Sequence, residues 1–178
     1  VMAMGVAPDT VSVFLSTEDG INKAIDNIRE LKPHISVFWK SGAMQAQLMK
    51  DQEVDMITGW NGRFDNAKKD GAVVGYTFNQ ALRDYDGFGI PKGAPNKDTA
   101  MKFLAEVSKP QYQANLPFHI TYGPTNKEAY EVTTAPKELL EALPSHPKNV
   151  SKMLAVRLDW YAKNREKAQE MYMELLSE

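Results

Sequence analysis

Apolar residues recur at helical spacing in the first clear element of the chain. In INKAIDNIRELK (21–32), Ile21, Ala24, Ile25, Ile28 and Leu31 share one face with charges between them, and Pro33 ends the run. The short apolar run HISVFW (34–39), bounded by Pro33 and Ser41-Gly42, predicts a buried strand. A helix follows over AMQAQLMKDQ (43–52), then a second strand over VDMITGW (54–60) that stops at the turn signal Asn61-Gly62. FDNAKKDG (64–71) reads as a short helix closed by Gly71, VVGYTFN (73–79) as a third strand and DGFGIP (86–91) as a fourth.

Strands separated by short helical stretches point to βαβ units. The fold class expected is therefore α/β, an open and mainly parallel sheet flanked by helices. From residue 97 the texture turns helical. KDTAMKFLAEVSK (97–109) puts Ala100, Phe103, Leu104 and Val107 on one face, and PFHITYGPTN (117–126) is an ordered loop rich in Pro and Gly. TTAPKELLEAL (133–143) has Thr134 placed as an N-cap, with Pro136 in the first turn. The last 28 residues read as one long amphipathic helix with Met153, Leu154, Leu158, Tyr161, Ala168, Met171, Tyr172 and Leu175 apolar.

Composition narrows the function. With 178 residues, 21 Lys and Arg against 23 Asp and Glu, the net charge of −2 supplies no basic face for nucleic acid. Without cysteine there are no disulfides, thiolate metal sites or thiol nucleophiles, and no apolar run is long enough to span a membrane. No charged leader opens the chain, and VMAMGVAPD reads like the interior of a longer protein. Phosphate-loop, dinucleotide, metalloprotease and serine-hydrolase motifs are all missing. His34, His119 and His146 share no ligand spacing, so no metal and no cofactor is expected.

The candidate chemistry lies at the carboxyl ends of the expected strands, where ligands collect in open α/β sheets. Trp39 ends the first strand and Trp60 the second, while Asp84-Tyr85-Asp86 leads into the fourth. In extended chain Asp84 and Asp86 point one way and Tyr85 the other. Two carboxylates beside aromatic faces describe a site for an organic cation, through cation–π attraction and ammonium hydrogen bonds. The same residues also fit a packed tryptophan and solvated turn acids. A calcium site is disfavoured, because the required oxygen ligands are not clustered.

The series QEVDMITGWNGR, VVGYTFNQ, DYDGFGIPKGAPNKDTAMKFLAEVSKPQYQANL, ITYGPTN and DWYAKNREKAQEMYMELL resembles the spermidine/putrescine-type periplasmic solute-binding proteins of ABC transporters. The resemblance implies a periplasmic-binding-protein-like (type II) fold of two lobes that close on a ligand by hinge motion. It implies binding of a polyamine or related small organic amine, delivery to a membrane permease, no chemistry, and a periplasmic location (or an extracellular, membrane-tethered one). By position, Trp60 resembles the tryptophan stacked on the ligand's methylenes, Asp86 the carboxylate that binds an amino group, and Tyr122 the cleft tyrosine. Ser41 falls near a ligand-contacting loop. Asp84 stands where polyamine binders carry a second tryptophan, which suggests a smaller or more polar amine. Trp160-Tyr161 resembles a Trp-Gln pair whose glutamine contacts ligand.

The same resemblance divides the chain into 1–86 (second lobe, first part), 87–130 (a strand and helix of the first lobe) and 131–178 (returning second-lobe helices). The chain then reads as a C-terminal fragment with half a cleft, expected to bind amines weakly. The helix near 98–108 would expose Phe103 and Leu104, favouring a homodimer through 87–130. Two other readings are a small hydrolase-type enzyme using Asp84 and Asp86 as an acid/base pair, and a ligand-sensing regulatory domain. The first needs a dry pocket and a raised pKa, and the second an attached signalling segment.

Overall fold

The computed structural model describes residues 1–178 and places helices along most of the chain. A short α1 (Val11–Phe14) precedes α2 (Glu18–Leu31), α3 (Gly42–Lys50) and α4 (Asn61–Lys69). After strand β1 (Leu82–Arg83) come α5 (Lys97–Val107), α6 (Pro110–Gln113), α7 (Leu116–His119), α8 (Ala129–Val132), α9 (Lys137–Glu141) and α10 (Pro147–Val150). Strand β2 (Leu154–Ala155) and the long α11 (Leu158–Ser177) complete the order.

Helix α2 forms where its stripe predicts. Thr17 caps it by accepting from the Gly20 amide at 3.0 Å, and Glu18 and Asp19 place negative charge in the first turn. Its Ile21 and Ile25 close over Leu175 of α11, with Ile28, Trp160, Met171 and Tyr172 around them. Arg29 fastens the far ends together, reaching both carboxylate oxygens of Glu178 at 2.7 and 2.8 Å. A second core joins α3 to α4 through Met49, Phe64 and Ala67, with Ile57, Val74 and Tyr76 packed against it.

The sheet is much smaller than the sequence predicts. β1 and β2 pair in parallel, Leu82 opposite Leu154, as the only ladder. The segments expected as strands at 34–39, 54–60, 73–79 and 86–91 carry no ladder hydrogen bonds to one another. Side-chain alternation is nevertheless present: Ala72, Val74, Tyr76 and Phe78 are partly buried, and Val73, Gly75, Thr77 and Asn79 are exposed. Period-two patterning specifies which face turns inward, whereas a ladder also needs a neighbour at the right distance.

Three local expectations also change. Asn61-Gly62 is the first turn of α4 rather than a turn before it, since the Arg63 amide bonds the Trp60 carbonyl at 2.9 Å. The residue flanking α9 is Pro136, not Thr134. Met153 and Leu154 precede α11, Met153 buried and Leu154 in β2.

Only 19 of 178 residues are buried, and the accessible surface is 12723 Å². A compact monomer of this size would expose roughly 8,700 Å². The chain is thus a set of locally packed helices around an open groove.

Candidate functional site

The groove encloses about 2900 Å³ and is walled by 54–61, 73–86, the 122–125 turn and the start of α11. That is several times the volume of an ordinary small-molecule pocket.

Trp60 sits at the junction of the 54–60 segment with α4, in extended backbone (φ −82°, ψ 127°), with half its surface exposed. Its indole meets Trp39 edge to face, centroids 5.5 Å apart at 68°. Its amide donates to Gln45 Oε1 at 3.4 Å, and Gln45 is fully buried in α3. Gln45 fits there because Gly59 has no side chain: a Cβ on Gly59 would lie 1.5 Å from Gln45 Nε2. A Cβ on Gly42 would likewise meet Arg63 Nε at 2.6 Å and Trp60 Cζ3 at 2.9 Å. The start of α3 is therefore a small-residue floor on which Trp60 and Arg63 lie.

Trp39, Trp60, Asp84, Asp86 and Tyr122 all line the groove. Ser41 does not; its hydroxyl oxygen caps α3, accepting from the Met44 amide at 3.2 Å. Asp84 accepts from the Tyr85 amide at 2.8 Å, and Asp86 is exposed. No ladder continues beyond Arg83, and Asp84, Tyr85 and Asp86 all border the groove. Tyr85 stacks under the Arg83 guanidinium, 5.6 Å from the ring centroid. In the Trp160-Tyr161 pair the roles divide: Trp160 packs into the α2–α11 core and Tyr161 faces the groove.

Sequence reasoning missed Arg63. It lines the groove beside Trp60, is exposed, and takes part in none of the chain's ion pairs. The available signal was the absence of any acid three or four positions away, where Trp60, Gly59, Asn66 and Ala67 stand.

Beneath the aromatic wall, Asp65 accepts hydrogen bonds from Tyr76 Oη at 3.0 Å and from the Thr121 hydroxyl. Burial, and then the charge of Asp65, push the Tyr76 phenol above its ordinary range. Nowhere do three His, Cys, Asp or Glu residues gather closely enough to hold a metal ion, and no helix is long and apolar enough to cross a membrane.

The open groove thus brings an aromatic pair, carboxylates and a guanidinium to one lining. The chain belongs to the bacterial extracellular solute-binding proteins, whose family model matches residues 2–148. It is 32% identical over 171 residues to the gamma-aminobutyric acid-binding protein of Pseudomonas aeruginosa, covering 96% of this chain and 48% of that protein. It is 27% identical over 126 residues to the putrescine-binding periplasmic protein PotF of Escherichia coli, covering 66% of this chain and 34% of that one. The crystal structure of the binding protein MotA from A. tumefaciens B6, in complex with glucopine, superposes with a TM-score of 0.89 at 44% identity, over 98% of this chain and 54% of that one. The architecture is accordingly part of the periplasmic-binding-protein-like type II fold, as the sequence led us to expect. The chain spans about half the length of these relatives, or less.

Proposed function

We propose that this chain forms part of the substrate-recognising component of an ABC importer, and that its ligand carries both an amino group and a carboxylate. The observation that carries this reading is the unpaired Arg63 beside the Trp39–Trp60 pair, in a groove that also exposes Asp84 and Asp86. A diamine needs carboxylates at both ends; an amino acid with separated charges needs one guanidinium and one carboxylate. Trp60 supplies the apolar face for the methylenes between them, with Tyr122 at the rim. The gamma-aminobutyric acid-binding relative aligns over nearly the whole chain and the putrescine-binding one over two thirds, which favours the amino acid. The ligand is bound and released unchanged, with a membrane permease as the receiving partner and the periplasm, or a tethered extracellular position, as its place of action.

Enclosure from one side gives weak affinity, roughly millimolar for this chain alone. NMR titration with γ-aminobutyrate and putrescine tests the reading. Arg63→Ala is expected to lose the γ-aminobutyrate response and keep the putrescine response, whereas Asp86→Asn weakens both. Equal effects of Arg63→Ala on the two probes would refute the assignment.

The division at residues 86 and 130 into second-lobe, first-lobe and returning second-lobe segments accompanies this reading. So does self-association through 87–130, supported by α5: none of its residues is buried, and Met101 and Phe103 are 53% and 57% exposed.

A further inference from the structure

Tyr122 stands on a turn that crosses to α4 from a distant part of the chain, and both ends of that turn are tied. At the rear, Gln113 Oε1 of α6 accepts from the amides of Thr125 and Asn126 at 2.9 and 2.8 Å. At the front, Thr121 is held twice. Its hydroxyl donates to Asp65, and its carbonyl accepts from Asn61 Nδ2 at 2.7 Å. Asn61 and Asp65 lie one helical turn apart on α4, directly after Trp60. Between them Gly62 leaves space for the ring: a Cβ there would stand 2.9 Å from Tyr122 Cε1.

We propose that Thr121 is a positioning residue for ligand binding, whose bonds to Asp65 and Asn61 hold the Tyr122 ring on Gly62, two positions after Trp60, before any ligand arrives. The proposal rests on the reading that the groove at Trp60 takes an organic amine. The Asp65 carboxylate has no cationic partner among the chain's ion pairs, so its charge is met by the hydroxyls of Thr121 and Tyr76. Hydrogen bonds to a charged acceptor are the stronger kind, which makes this clasp a better anchor than the rear ties to a neutral amide. A ring fixed in advance costs the ligand no ordering entropy, so the benefit appears as affinity.

The test is a double-mutant cycle on the full chain, read by NMR titration with γ-aminobutyrate and with putrescine. Thr121→Val, which keeps the shape of the side chain, is expected to weaken binding about three- to tenfold. Thr121→Ser restores it, and Thr121→Val costs nothing further in a Tyr122→Ala background. An equal loss in both backgrounds, or no loss, overturns the proposal, since a merely structural threonine would act regardless of the tyrosine.

A second arm needs no ligand. Nitration by tetranitromethane, read by peptide mass spectrometry, is expected to be several-fold faster at Tyr122 in Thr121→Val, with Tyr161 unchanged. An unchanged Tyr122 rate overturns the clasp whatever the probes do. Absence of probe binding to the unsubstituted chain, with the nitration response intact, removes the amine reading and keeps the preformed ring.

Discussion

Trp39 and Trp60, 21 positions apart in the sequence, meet edge to face at 5.5 Å, and both line the groove with Trp60 half exposed. In the proposed function Trp39 is the buttress and Trp60 the contact surface. Trp60→Leu is expected to weaken amine binding about 3- to 30-fold, the range of a partly desolvated cation–π contact. Trp39→Leu should weaken it less. NMR titration of both variants measures the order, and a larger loss at Trp39 would reverse the assignment.

The close approach of Gly59 to Gln45 predicts a stability effect. A methyl group at Gly59 would occupy the place of Gln45 Nε2. Gly59→Ala is expected to destabilise by about 1–3 kcal/mol through overpacking, read by urea denaturation. Adding Gln45→Ala removes the collision, so the double variant should lose less than the sum of the single ones.

Leu175 is fully buried where α11 meets α2, and its removal would leave a cavity between two isoleucines. Leu175→Ala is expected to cost about 2–5 kcal/mol. Loss of helical circular dichroism at lower urea is the measurement. Glu178→Gln should have a much smaller effect, because its pairing with Arg29 is at the surface.

Alkaline pH should weaken the fold. Burial first, and the Asp65 charge second, raise the Tyr76 phenol above the ordinary value near 10, and burial also raises Tyr130. The folded state therefore favours the protonated phenols. Their contribution is complete below the unfolded value and is lost as pH rises through the folded values. The urea midpoint should begin to fall as pH approaches about 10 and keep falling above it, less steeply in Tyr76→Phe. An identical slope in that variant would show that Tyr76 titrates freely.

The exposed face of α5 leads to a further expectation. Sedimentation at rising concentration should show dimers, and Phe103→Asp should abolish them. A strict monomer at high concentration would count against self-association.

The helices were legible because their information is local. Ile21, Ile25 and Ile28 declare one face of α2, whereas its start at Glu18, capped by Thr17, lies three residues before the apolar stripe. The strands were legible as faces, in the alternation from Ala72 to Asn79, but not as ladders, because pairing depends on which distant segment comes alongside. Trp60 stood out by type and context, and Tyr122 through the family resemblance. Arg63 did not, since a single arginine on a polar helix resembles a solvated surface residue until the groove beside it is seen. Asp65 and Thr121 were equally silent, because a clasp between residues 56 positions apart has no local pattern.

The accessible area has a consequence for how this chain melts. Denaturant sensitivity and the heat capacity of unfolding both scale with surface newly exposed when a structure opens. Apolar side chains such as Met56 and Val73, 91% and 89% exposed in the folded chain, have little left to expose. The unfolding curve should therefore be broad, with an m-value and a heat-capacity step smaller than those of a compact protein of the same length. Anything that fills the groove should sharpen the transition as well as raise its midpoint.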